Sequence, residues 1–160
     1  MYLCRVKAKL IYIGKEDSAE LTAAVAAFVG KIKFYLPFEM EAIPYLKNKV
    51  SQEEQKKLEG QLFLKKIDPA DHVVLLDEHG VEVTSVQFSQ FMQQQMLRGT
   101  KRLVFLIGGA YGFSEEVYKR GNSKLSLSRM TFPHVLTRLI FAEQLYRAMT
   151  ILKGEPYHHE

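Results

Sequence analysis

The 160-residue chain carries one cysteine, Cys4, and no tryptophan. One thiol excludes an internal disulfide and suits a reducing compartment, so a cytoplasmic protein is the expectation. Histidine is scarce as well: His134, His158 and His159 have neither cysteine nor carboxylate at ligand spacing, so no metal is expected. Long apolar runs are missing. None approaches the roughly 20 residues that cross a bilayer, and Lys7, Lys9 and Lys15 interrupt the beginning. No charged stretch followed by an apolar one reads as a secretory signal. Internal repeats and low-complexity linkers are absent. Neither GxGxxG nor GK[ST] occurs, which leaves the dinucleotide and P-loop signatures unmet.

What is present describes a globular protein. Nearly half of the residues, 47%, are apolar and 25% are charged, a balance that folds rather than stays disordered. The length suits one domain over 1–160 with a sizeable core. The net charge of +4 is compatible with a phosphate-rich partner. Acids are interleaved with the lysines and arginines, so no basic arm stands apart.

Strands and helices alternate along the chain. In "LCRVKAKLIYI" (3–13), Cys4, Val6, Ala8, Leu10 and Tyr12 share one side and Arg5, Lys7 and Lys9 the other, which predicts a strand with one buried face. Asp17 and Glu20 look like a capping box before Leu21, Val25, Phe28, Val29 and Ile32 at helical spacing. "PFEMEAI" (37–43) alternates again. Ser51 with Glu54 opens a charged helix to about Lys66. "HVVLLD" (72–77) and "RLVFLI" (102–107) are short apolar runs that read as strands buried on both faces. Between them Thr84 with Gln87 caps a helix that closes at Arg98-Gly99. Ser114 starts a short helix, "KLSLS" (124–128) is a short extended segment, and Pro133 opens a final helix to about Lys153. This order predicts an α/β fold: a single domain whose mostly parallel sheet is flanked by helices. In such sheets ligands bind outside the carboxyl ends of strands. Three segments belong there: Asp77–Gly80, Gly108–Gly112 and Ser128–His134.

"GGAYG" (108–112) permits a close ligand approach, and equally a tight strand-to-helix turn. "LSLSRMTFPH" sets hydroxyls at Ser126, Ser128 and Thr131 and a cation at Arg129 among apolar residues. It suits a ligand with an apolar ring and polar edges, or a strand and turn capped by Thr131. In the last helix, which also holds Arg138, Glu143 and Arg147 are four apart and can pair on one face. His134 stands at that helix's N-terminus, where the dipole disfavours its protonated form. Cys4 reads as a small core residue, and the Arg5–Lys7–Lys9 stripe as a solvated strand face.

Together "LLDEHG", "FLIGGAYG", "LSLSRMTFPH", "RLIFAEQLYRA" and the terminal "GEPYHH" resemble the RlmH family over essentially the whole chain. These are small bacterial pseudouridine N3-methyltransferases of the SPOUT class that modify large-subunit (23S) ribosomal RNA. His79 stands where many members have arginine, and His159 is an addition. The resemblance implies a deep C-terminal trefoil knot, a homodimer, and S-adenosylmethionine held in the knot. It implies cofactor contacts from Leu76, Gly108 and Leu127, Ser128, Arg129, Met130, Thr131 and Phe132. It implies RNA met on the assembled 70S ribosome. The catalytic group implied is Tyr157 and His158 in the terminal segment, with Arg147 and Glu143. Tyr157 stacks on or orients the base, His158 accepts a proton or contacts phosphate, Arg147 stabilises an anion, and Glu143 orients it. The alternative on the same scaffold is a non-catalytic RNA-binding module for ribosome assembly.

Overall fold

The computed structural model describes residues 6–14 and 18–159. Five strands and five helices follow one another as β1 (Lys7–Ile13), α1 (Ala19–Ile32), β2 (Phe38–Ile43), α2 (Gln52–Lys65), β3 (His72–Glu82), α3 (Ser85–Leu97), β4 (Arg102–Ile107), α4 (Glu115–Arg120), β5 (Ser123–Ser126) and α5 (His134–Leu152). The strands form one sheet in the order β2-β1-β4-β3-β5, and every neighbouring pair is parallel. The expected α/β architecture is the observed one.

The period-two rule divides the apolar strand residues between two cores. On one face Leu103, Phe105 and Ile107 of β4 join Val74 and Leu76 of β3, Phe88 and Met92 of α3, and Phe141, Leu145 and Met149 of α5. On the other, Val104 and Leu106 join Val73 and Leu75, Phe63 of α2 and Val117 of α4. Both apolar runs are thus buried on both faces, as their lack of alternation predicts.

Several details differ from the sequence expectations. β1 is interior to the sheet, between β2 and β4, so its second face is covered too: Ile11 and Ile13 are fully buried. Lys9 is not a solvated stripe residue. Its ammonium pairs with Glu39 at 3.3 Å and Glu41 at 3.1 Å across β2, and its side chain is 14% exposed. Cys4, Arg5 and Asp17 lie outside the described residues. The N-cap of α1 is Ser18, whose Oγ accepts from the Leu21 backbone amide at 3.3 Å. β3 does not stop at Asp77. It continues to Glu82 through a register break between Leu76 and Val81, because β5 pairs with it on both sides of the break. Gly80 is needed there, since a Cβ would come within 2.7 Å of the Leu125 backbone nitrogen. Pro133 is the N-cap of α5 rather than its first residue, and Thr131 does not cap the helix.

Candidate cofactor cavity and C-terminal cluster

β4 ends at Ile107 and the chain reverses at once. The Gly112 amide donates to the Gly109 carbonyl at 3.1 Å, and Gly112 takes a φ of 81°, which favours glycine. A Cβ at Gly108 would press on the Gly112 carbonyl carbon at 3.2 Å and on Phe113 at 3.3 Å. Closure of its own turn is therefore the nearest reason for glycine at 108. At Gly109 the obstacle is a side chain. A Cβ would lie 2.6 Å from both carboxylate oxygens of Glu59, which reaches the back of the turn from α2.

The front of the turn lines a cavity of about 360 Å³ at the carboxyl end of β4, beside the register break of β3. That is the size of a small-molecule site, roughly 300–1,000 Å³. Leu76, Gly108, Leu127, Ser128, Met130, Thr131 and Phe132 line it, so seven of the eight sequence-named cofactor residues converge on one space. Arg129 does not line it. Its guanidinium is exposed and pairs with Glu82 at 2.9 Å, on the far side of the break in β3. The Ser128 hydroxyl accepts from the Met130 amide at 2.9 Å, which shapes this loop. His134 and Thr137, at the start of α5, close another side, and Asp77 and Glu78 add acidic groups.

Two side chains that support this cavity were not singled out from sequence. The Tyr118 hydroxyl donates to Asp77 Oδ2. Burial, helped by that carboxylate, pushes its pKa up to about 12, so it remains a donor at neutral pH. Glu59 is 2% exposed, and burial raises its pKa against a smaller pull from Gln55. The one signal for Glu59 was a glycine beside it, Gly60, inside a charged helix. A Cβ at Gly60 would come within 2.3 Å of the Ser114 hydroxyl, so α2 packs tightly under the cavity turn.

The four sequence-named catalytic residues form a second cluster. Arg147 donates to Glu143 Oε1 through Nη2 at 2.6 Å and Nε at 3.1 Å. The Tyr157 hydroxyl donates to the same oxygen at 3.0 Å. Arg147 Nη1 lies 3.1 Å from His158 Nδ1, and its guanidinium stands 4.8 Å over the Tyr157 ring. Hydrogen bonding to Glu143 raises the pKa of Arg147, and burial followed by Glu143 raises that of Tyr157, so the first is a cation and the second a phenol at neutral pH. The tail is anchored: Tyr157 packs edge-on against Tyr146 at 4.7 Å, and Tyr35 donates to Glu155 at 2.7 Å.

The two sites do not meet within one chain. His134 lies at the cavity, and Glu143 and Arg147 follow it by 9 and 13 residues along α5. At 1.5 Å per residue they are about 14 and 20 Å further along the helix axis. The tail cluster sits beside Tyr35, just before β2 begins, at the opposite edge of the sheet from the cavity. Arg138, between them, is 3% exposed and stacks over the Tyr12 ring at 4.4 Å. Among the described residues no three histidine, cysteine or acidic side chains gather as a metal site, and no helix is long and apolar enough to cross a membrane.

A family model described as "Predicted SPOUT methyltransferase" matches residues 6–158. The chain is 53% identical over 157 residues to the Ribosomal RNA large subunit methyltransferase H of Parabacteroides distasonis, covering 97% of this chain and 100% of that one. It is 53% identical over 153 residues to a protein of the same name from Christiangramia forsetii, covering 94% and 98%. Among solved structures, a probable methylase family protein from Haemophilus influenzae superimposes with a TM-score of 0.52 at 9% identity, over 99% of this chain and 72% of that one. That likeness speaks for the fold alone.

Proposed function

This chain belongs to the SPOUT methyltransferase family, and from that premise we propose that it methylates N3 of a pseudouridine in large-subunit ribosomal RNA on the assembled ribosome. We propose S-adenosylmethionine as the donor. The observation that carries this is the convergence of Leu76, Gly108 and five residues of the 127–132 segment on one cavity at the carboxyl edge of the sheet.

The residues present fit that donor. Leu76, Leu127 and Phe132 offer apolar surface for a ring, the 108–112 turn offers backbone, and Asp77 and Glu78 complement a cationic ligand. When bound, S-adenosylmethionine supplies a methyl group already activated on a sulfonium. The protein's task is alignment, because fixing two reactants in register supplies much of the acceleration. It must also manage the imide proton of the acceptor. The tail cluster is equipped for this. Arg147 is a held cation able to stabilise a developing anion or a phosphate, and Glu143 fixes its direction. Tyr157 presents a ring to orient the base, and His158 stands at 3.1 Å from Arg147 as proton acceptor or phosphate contact.

Because the cluster and the cavity lie at opposite edges of one chain, the reading includes a homodimer in which each tail completes the partner's site. The trefoil threading and a cytoplasmic location belong to the same reading. Support for the threading is that segments distant in sequence, 76–78, 107–112 and 127–132, enclose one space from which α5 departs.

The test is mass mapping of ribosomal RNA nucleosides from cells with and without the gene. One N3-methylpseudouridine should vanish on deletion and return on complementation, and an unchanged map overturns the assignment. Calorimetry with S-adenosylmethionine separates the alternative: no heat at millimolar ligand favours a non-catalytic RNA-binding module.

A further inference from the structure

A second concave site lies at the opposite edge of the sheet from the cofactor cavity. It encloses about 400 Å³ where β3 and β4 begin and α3 ends, and Arg98, Lys101, His72 and Asn122 line it. Nothing in the methyl-transfer reading uses it.

Its charge is positive and available. Arg98 and Lys101 are exposed, and neither takes part in an ion pair among the described residues. The acid in the lining, Asp71, is already engaged. Arg102 donates to it through Nε at 2.9 Å and Nη2 at 2.6 Å, and Asp71 is 6% exposed. Arg120 lies behind the wall, donating to the carbonyls of Asp68 and Asp71 at 2.9 and 3.0 Å. His72 registers the resulting field. Burial lowers its pKa first, and Arg98 and Arg120 lower it further, so its ring is a neutral hydrogen-bonding group held at 3.0 Å from the Ser123 hydroxyl. Two unpaired cations beside neutral polar groups form a recess suited to a monovalent phosphodiester.

Its position selects the source of that phosphate. The helices run back from the carboxyl edge, so α3 and α5 both finish at this edge, and the tail cluster shares it. We propose that the recess formed by Arg98, Lys101, His72 and Asn122 is an RNA-backbone site, which grips a phosphodiester of the strand whose base is presented to the tail cluster. This rests on the RNA-modifying reading above. It contributes grip without sequence preference, since phosphate contacts position a nucleic acid while base contacts specify it.

The experiment compares wild type with Arg98→Gln/Lys101→Gln. Binding is measured by anisotropy to a labelled single-stranded RNA dodecamer and by sedimentation with purified ribosomes, across a salt series. The double variant should bind both about tenfold more weakly near ~0.1 M salt, with the slope of log affinity against log salt shallower by about 1.4, roughly 0.7 per lost contact on a single strand. Its affinity for S-adenosylmethionine and its melting temperature should not change. Equal RNA affinity and equal salt slope for the two proteins overturn the site. If inorganic phosphate binds as tightly as the dodecamer, the recess is a free-anion site and the RNA assignment fails. If wild type binds the dodecamer and the variant does not, yet neither methylates ribosomes, the recess stands and the functional reading falls.

Discussion

A carboxyl group pressed against the back of a glycine turn lowers its energy by keeping its proton. Glu59 is in that position: burial raises its pKa, and no salt bridge among the described residues relieves it. The sign of the pH effect follows. As pH rises through the ordinary carboxylate range, the unfolded chain releases this proton while the native state retains it. The native state then binds more protons, and stability falls until pH passes the raised native pKa. Glu59→Gln removes that titration. The melting temperature of the variant relative to wild type should therefore climb by a few degrees between acid and neutral pH, and a flat difference in calorimetric scans refutes a proton held there. Gly109→Ala tests the same contact sterically. It should cost about 1–3 kcal/mol by overpacking. Most of that cost should disappear in a Glu59→Ala background, giving a coupling of about 0.5–3 kcal/mol in a denaturant double-mutant cycle. Strict additivity would mean the two groups do not touch. The sequence offered little warning, because residues 59 and 109 are joined only by the packing of α2 under the turn. The reverse holds for Arg129. Its neighbours in the chain line the cavity, but Glu82 draws its side chain away.

At the scale of elements, local chemistry is legible where the signal is local. Thr84 and Gln87 form a complete capping box: Thr84 Oγ1 accepts from the Gln87 amide at 3.1 Å, and Gln87 Oε1 from the Thr84 amide at 2.8 Å. Thr84→Ala should lower stability by about 1 kcal/mol, and at most about 2, read as a shift in the urea midpoint, while Thr84→Ser should recover nearly all of it. An unaffected midpoint would mean that water replaces the cap at no loss. Where the signal comes from a neighbour, sequence reasoning stops short. "DEHG" reads as a loop because acids and glycine rarely continue a strand. It remains extended because β5 pairs beyond it, Ser126 against Glu82, and β5 begins at Ser123, 41 residues after β3 ends at Glu82.

For the whole molecule the central question is how two clusters at opposite edges act together. The homodimer reading makes a sharp forecast. His158→Ala should cut methyl transfer far more than cofactor affinity, because it touches the tail alone. Gly108→Val should abolish cofactor binding by forcing the 108–112 turn open. Each homodimer should be nearly inactive on ribosomes. Co-expressed, one heterodimer site pairs an intact cavity with an intact tail, so random pairing in a two-fold dimer should restore about a quarter of the wild-type rate. No recovery would mean that tail and cavity act within one chain or not at all.

The sequence by itself determined the alternation of strands and helices, the two apolar strands buried on both faces, the caps at Ser51, Thr84 and Ser114, and the stretches that would supply a cavity. Each follows from periodicity or from contacts within a few residues. Only the tertiary structure decided that seven of eight named residues face one space, that Arg129 turns aside, and that Glu59 stands behind the glycines. It alone set the tail a helix length away from the cavity of its own chain. Those outcomes depend on strand order and helix packing, which bring together residues that no local pattern in the chain relates.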